Sequence, residues 1–564
     1  MILSAFDMNT AGHQAPGLWT HPGDQSHRYK DLDYWTDLAQ RLERGGFDCL
    51  FLADVLGAYD VYNGSRDAAV SGAAQIPVND PLLIISAMAA VTKRLCFGVT
   101  VSLTYELPYA FARKMSTLDH ITQGRIAWNV VTSYQQSAAV NLGLDRQIPH
   151  DERYEIGEEF LEVCYKLWES SWEDDAVVHD RSSGVYTDPA KVHDINHAGK
   201  YYTVPGPHLS EPSPQRTPYL FQAGASARGR LFAARHAEAV FLTGTNPHDM
   251  RPIVDLLRMQ IAEQGRDPRS VKFVMMLAPI TGPTEQAAKA KLAEILAHGN
   301  HDTALALYGG WTGVDLSQTP RDLPLQKFEG DSVRAMLDML TRVDSELVWT
   351  TERLADWLCL GGMSAATVGG PEAIVDEMER WMEVADVDGF NLARTVAPGS
   401  MDDFIEHVVP VLRQRGHMPP DPLPAMTMRE RFGGQRRLPD DHPGASYRPG
   451  VTTVRTVSPV TFEARPRKIG LLVTLTAKPG KQDELIAWLR DSLDEVMNEP
   501  GTITWYAYRI DETTFGIFDT FYDEIGRHAH INGKVTESLG KQTASLLSRP
   551  PEVRQIDVLA VKSS

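Results

Sequence analysis

Short apolar runs alternate with amphipathic stretches of helical period from the first residues to Arg415. The runs predict eight strands, near Ile2–Phe6, Asp48–Ala53, Leu95–Ser102, Arg125–Val131, Pro218–Ala223, Ala239–Thr243, Val271–Leu277 and Gly389–Ala393. Runs this short and this continuously apolar suit parallel strands buried on both faces. Between the first two, Leu32–Arg44 carries Leu32, Trp35, Leu38, Ala39 and Leu42 at helical spacing and stops at Gly45–Gly46, the pattern of a helix with a glycine C-cap. Repeated strand–helix alternation implies helical crossovers between parallel strands, and eight such units close into a (β/α)8 TIM barrel. An open doubly wound sheet is the alternative, but no GxGxxG follows a strand, so the barrel is expected.

Two connections are too long for simple helices: Ser170–Thr217 and, after the helix expected at Glu285–Ala297, His298–Gly370. Insertions of that length in a barrel gather over its C-terminal mouth. Beyond the last barrel helix, Asp402–Arg415, the stretch from Met418 to Gly450 is rich in Pro, Gly and charge and reads as a tail or linker. From Lys468 the pattern restarts as strand Ile469–Thr476, helix Gln482–Asn498, strands Ile503–Ile510 and Thr514–Tyr522, helix Glu524–Leu547 and strand Val553–Val561. That βαββαβ order predicts a small ferredoxin-like α+β domain. The expected division is a barrel with its tail over 1–447, a linker over 448–466 and the small domain over 467–564.

Composition narrows the function. A chain of 564 residues, 43% hydrophobic, can build a large core and a second module. A formal net charge of −19 argues against nucleic acid as a partner. The start, MILSAFDMNT, lacks a basic region followed by an apolar run, and no apolar stretch is long enough to span a membrane, so a cytoplasmic protein is expected. Cys49, Cys96, Cys164 and Cys359 are dispersed without a CxxC pair, which fits reduced, buried thiols. With no HExxH either, no catalytic metal is expected.

In a parallel barrel the chemistry collects where strands end, so polar residues that interrupt apolar strands there are the candidates. Asp54 ends FLAD, Thr100 and Ser102 lie in FGVTVSL, and Asn129 lies in IAWNVVTS. Any one of them alone could simply hydrogen-bond the neighbouring loop. The stretch FQAGASARGR runs from strand through glycine and small residues into a helix with Ser226 at its N-cap, an arrangement that binds anions. Gly224 to Gly229 has P-loop spacing, but Arg230 and Leu231 stand where a P-loop needs Lys and Ser/Thr, so a phosphate monoester fits better than a nucleoside triphosphate. His150 and Tyr154, four apart at a helix start, share one face, where they could touch one ligand or serve only for packing and capping.

These residues lie in segments that resemble the bacterial luciferase-like flavin monooxygenases, in particular the group acting on nitrilotriacetate, dibenzothiophene sulfone and long-chain alkanes. The similarity is carried by FDCLFLADV, YDVY, QIPVNDPL, MSTLDHITQGRIAWNVVTS, HDERY, EPSPQRTPYLFQAGAS and DGFNL, and looks nearest to the long-chain alkane type. It implies one FMN at the barrel mouth, contacted by Asp54, Thr100, Asn129, His150, Tyr154, Ala225 and Ser226, with Ser226 and its neighbouring amides at the phosphate. It also implies a separate NAD(P)H:FMN reductase that supplies reduced FMN, O2 as cosubstrate, and a homo-oligomer. On the substrate side it implies His13, Tyr59, Gln75 and Tyr134. The pattern departs from the alkane type at Thr10, where that type has Cys, at Tyr134, where it has His, and near Leu307, where it has a second His; these changes point to a bulky hydrophobic or heteroaromatic substrate instead of a straight alkane. The C-terminal segment resembles the antibiotic-biosynthesis-monooxygenase domains, with His530 and Trp505 as its polar pocket residues.

The leading expectation is the oxygenase half of a two-component, reduced-FMN-dependent monooxygenase. The alternatives are a riboflavin-lyase-like enzyme that degrades a flavin, a long-chain alkane hydroxylase, and a non-catalytic flavin-binding protein.

Overall fold

The computed structural model describes residues 1–224, 226–322, 324–325, 348–419, 424–449, 468–496, 502–521, 524–531 and 533–558. The chain forms two compact units, Met1–Thr452 and Thr453–Ser564. In the first, strands Ile2–Met8, Cys49–Ala53, Cys96–Ser102, Ile126–Val131, Tyr219–Gln222, Ala239–Leu242, Lys272–Thr281 and Gly389–Ala393 pair in parallel and close on themselves. The eight strands and the closed parallel barrel expected from the periodicity are therefore present.

Alternation along each strand explains the two cores. Leu3, Leu50, Leu52, Phe97, Val99, Trp128, Phe273 and Leu392 face outward into the layer beneath the helices. Their neighbours face inward and fill the barrel in layers: Cys49, Cys96, Ala127, Tyr219 and Ala239 below, then Phe6, Phe51 and Met276 with Phe221 and Phe241. A Cβ on Gly98 would sit 2.9 Å from Phe51 and 3.0 Å from Phe221, so glycine there makes room for the two rings. The barrel is a packed core that ends in a polar layer at its C-terminal mouth.

The helix Leu32–Gly45 buries Trp35, Leu38, Ala39 and Leu42 as its period requires, and Gly46 closes it at φ 85°. Leu32 itself is exposed, because the first helical residue lies beyond the edge of the layer.

Three features depart from the sequence reading. A ninth strand, Ala365–Gly369, pairs with the second half of a longer seventh strand that runs on to Thr281. Its short, small-residue sequence gives no strong strand signal. The stretch after Met418 is also more than a tail. Thr427 and Glu430 form a capping box for the helix Met428–Gly433, and Met428 and Phe432 pack on the lower layer of the barrel with Tyr219 and Ala127. This segment plugs the N-terminal end of the barrel. Finally, the C-terminal helix expected over Glu524–Leu547 is split into Glu524–Ile531 and Lys534–Leu546.

The second unit has a four-stranded antiparallel sheet in the order Thr502–Arg509, Thr514–Phe521, Lys468–Thr476, Glu552–Val558. With its connecting helices this is the ferredoxin-like order. Its core gathers Val473, Leu475, Leu485, Leu489, Phe515 and Ile517. Most of the expected linker 448–466 lies outside the described residues.

Candidate active site

The polar layer at the barrel mouth is set by strand pairing. Thr100 and Asn129 stand opposite each other on adjacent strands, and Asn129 Nδ2 donates to Thr100 Oγ1 at 2.9 Å. That leaves Asn129 Oδ1 buried without a partner, an acceptor held ready. Ser102, the next inward residue, accepts from the Ser133 hydroxyl at 2.8 Å.

Asp54 follows the second strand, and burial, reinforced by the negative charge of Asp80, pushes its carboxyl up to about 7. A carboxylic acid in that range exchanges its proton near neutral pH.

The helix N-cap expected at Ser226 is formed. The Ser226 hydroxyl caps the helix Ala227–His236 by accepting from Gly229 N at 3.0 Å. A Cβ on Gly224 would lie 2.9 Å from Gly229 Cα, and a Cβ on Gly229 would lie 2.7 Å from the Tyr154 hydroxyl and 3.1 Å from Ser226 Oγ. The glycines thus let the turn close tightly enough to bring Tyr154 and Ser226 to one point at a helix N-terminus. Tyr154 in turn stacks edge-on with His150, ring centroids 5.2 Å apart, as their spacing required. This cradle suits a phosphate monoester. Ala225, between the two groups of the cradle in sequence, lies outside the described residues.

His13, Tyr59, Gln75 and Tyr134 also converge. The Tyr59 hydroxyl donates to Gln75 Oε1 at 2.8 Å and lies 3.3 Å from the Tyr134 hydroxyl, and Gln75 Nε2 donates to the backbone oxygen of His13 at 3.4 Å. His13 is 1% exposed with neither ring nitrogen partnered, and the Phe6 ring meets it edge-on at 4.4 Å. Burial, and then the positive charge of Arg394, hold its imidazole well below the ordinary range, so it is neutral. Leu307 is buried in the helix His301–Thr312, behind this group.

Sequence reasoning missed two contributors. Trp311 donates its indole N–H to the Tyr59 hydroxyl at 3.3 Å from a helix of the long insertion. Arg394 donates to Asp7 Oδ1 at 2.6 Å and to the Thr10 carbonyl at 3.4 Å, a buried ion pair beside His13. Neither carries a local motif; both pairings join residues far apart in the chain.

In the second unit His530 pairs with a carboxylate, while the Trp505 indole nitrogen is buried without a hydrogen-bond partner among the described residues. His530 Nε2 lies 2.9 Å from Asp519 Oδ2, and Trp505 stands directly opposite Asp519 on the adjacent strand.

Residues 13–389 match the model of the luciferase-like monooxygenases. The chain belongs to that family. It is 52% identical over 449 residues to a dimethyl-sulfide monooxygenase from Hyphomicrobium sulfonivorans, covering 79% of this chain and 94% of the relative. It is 51% identical over 447 residues to a long-chain alkane monooxygenase from Geobacillus thermodenitrificans, covering 79% and 97%. Among solved structures, a riboflavin lyase with modified FMN and its substrate riboflavin superposes with a TM-score of 0.72 at 38% identity, over 79% of this chain and 99% of that one. The family match stops short of the second unit. As a member of this family the protein is a monooxygenase that works with reduced FMN and O2. The unpartnered Asn129 oxygen and the glycine-tightened cradle at Ser226 are features that this cofactor fits.

No described helix is long and apolar enough to cross a membrane.

Proposed function

We propose that this protein is the oxygenase component of a two-component system, that a separate NAD(P)H-dependent reductase delivers its reduced FMN, and that its substrate is a bulky hydrophobic or heteroaromatic molecule. Bound reduced FMN supplies two electrons to O2, one oxygen atom of which enters the substrate while the other leaves as water. The chain's own groups do the rest. Ser226 and the start of the helix behind it hold the phosphate, with the Tyr154 hydroxyl as an added donor and His150 beside it. Thr100 fixes Asn129, whose free oxygen would be the acceptor available to the bound flavin, and Asp54 would hold or release a proton at the same rim. The neutral His13 and the rings around it keep water from the reacting centre.

The observation that carries the substrate reading is Tyr134, 47% exposed at the mouth beside the buried Tyr59. An exposed phenol ring stacks on a planar ring for roughly 0.5–1.5 kcal/mol beyond burial, whereas an alkane gains only in proportion to area. A second reading, attack on a flavin, is supported by the likeness to a riboflavin lyase. The test is product formation from hexadecane, dimethyl sulfide, carbazole and riboflavin under one supply of FMN reductase and NADH, with uncoupled H2O2 counted separately. Oxygenation of a ring compound supports the proposal. Conversion of hexadecane with both ring compounds untouched rejects it, and cleavage of riboflavin selects the second reading. Rapid NADH oxidation by the isolated chain would reject the two-component arrangement.

A further inference from the structure

The hydrogen bonds around Tyr59 have only one consistent direction. Gln75 Nε2 faces the backbone oxygen of His13, which can only accept, so Gln75 turns its carbonyl oxygen to Tyr59. That oxygen takes the single proton of the Tyr59 hydroxyl. The indole N–H of Trp311 can only donate, so it occupies one lone pair of Tyr59. The remaining contact, Tyr134 hydroxyl to Tyr59 hydroxyl at 3.3 Å, is then satisfied only if Tyr134 donates. Burial, and then Tyr59, push the Tyr134 hydroxyl well above the usual phenol range, so it keeps that proton. A second acceptor stands nearby: Gln14 Oε1 is buried without a partner, where the positions of Gly362 and Trp311 meet.

We propose that Gln75 and Trp311 commit the Tyr134 hydroxyl to donate inward, so that its oxygen presents only lone pairs to the substrate, and that this wall selects a planar molecule carrying an N–H or O–H donor. The selection rests on the heteroaromatic reading above and narrows it. Gln75 and Trp311 are positioning residues that act through Tyr59, and Tyr134 is the group that meets the substrate. The neutral His13 offers one donor and one acceptor and accommodates either kind of ligand.

Carbazole and dibenzofuran are close in shape and differ in whether the bridging atom carries a proton. Equilibrium dialysis against the full-length, FMN-loaded protein is expected to show carbazole held roughly fivefold more tightly, the worth of one neutral hydrogen bond. Tyr134→Phe should bring that ratio close to one while leaving FMN affinity unchanged. Gln75→Met frees the Tyr59 proton to turn toward Tyr134, whose own proton then points outward, so the preference should vanish or invert to dibenzofuran; a merely structural role for Gln75 would weaken both ligands alike. Gln75→Glu, which keeps an acceptor for Tyr59, should restore the carbazole preference. Equal affinity for the two tricycles in the wild type, or binding of neither, overturns the donor rule. Oxygenation of another ring compound in the product assay would still leave the broader substrate reading standing, and hexadecane as the sole product-forming substrate would remove both.

Discussion

Arg429 and Glu238 form a two-point ion pair under the barrel, Nε to Oε1 at 2.6 Å and Nη2 to Oε2 at 2.9 Å, with both side chains out of water. The same guanidinium donates to the Thr217 carbonyl at 2.9 Å, and the Arg429 amide donates to Gln215, whose own amide reaches Asp119 at 2.8 Å. A segment that follows the last barrel helix thus ties together strands from the middle of the chain.

Removing Arg429 alone leaves Glu238 buried and without its counter-charge. Arg429→Met is expected to cost about 3–5 kcal/mol of stability, and adding Glu238→Gln should recover a large part of it, because a buried pair costs most when only one partner is lost. Denaturant unfolding of the full chain measures both. A single variant as stable as the wild type would show that the floor is open to water.

Truncation tests the same segment without a point change. A chain ending at Pro449 keeps Met428, Phe432 and Arg448, whose Nε sits 2.9 Å from the buried Glu169, and should fold as an FMN-binding barrel. A chain ending at Met418 exposes the lower apolar layer and should aggregate or lose cooperative unfolding. Equal solubility of the two would mean the plug is dispensable.

What was legible in the sequence follows from the range of the interaction concerned. The barrel strands announce themselves because burial on both faces makes each a continuous apolar run, and Ser226 is visible because capping is a contact between residues three apart. The plug was not, since its apolar residues Met428 and Phe432 are interrupted by charge and set among prolines and glycines. Arg394 and Asp7, 387 residues apart, or Trp311 and Tyr59, 252 apart, have no local signature; only closure of the barrel puts them together. The resemblance to flavin monooxygenases supplied His13, Gln75 and Tyr59 as a group, and the structure supplies the bonds that make them one.

At the cradle, Ser226→Asp sets a negative charge against the phosphate and should weaken FMN about tenfold or more while changing riboflavin little. Gly229→Ala should act in the same direction, because its Cβ would press on the Tyr154 hydroxyl from 2.7 Å. Fluorescence titration with both flavins separates the outcomes. Equal losses for FMN and riboflavin would place the phosphate elsewhere.

The last prediction concerns Asp54. Its carboxyl is raised from the ordinary 3.8 to about 7, first by burial and then by Asp80. A carboxyl whose pKa is raised by folding binds its proton more tightly in the fold than in the unfolded chain, so its contribution is complete below about pH 4, where both states are protonated, and is lost as the pH climbs through about 7. Asp54→Asn mimics the protonated form at every pH. The apoprotein variant should therefore match the wild type near pH 4 and exceed it by about 1–2 kcal/mol at pH 8, partial exposure screening some of the penalty. Asp80→Asn should shift the same transition to lower pH by removing the second cause. Thermal unfolding of the three apoproteins from pH 4 to pH 8.5 decides the matter: a stability difference between Asp54→Asn and wild type that does not change with pH would mean that Asp54 stays ionised in the fold, and that no proton is held at this rim near neutrality.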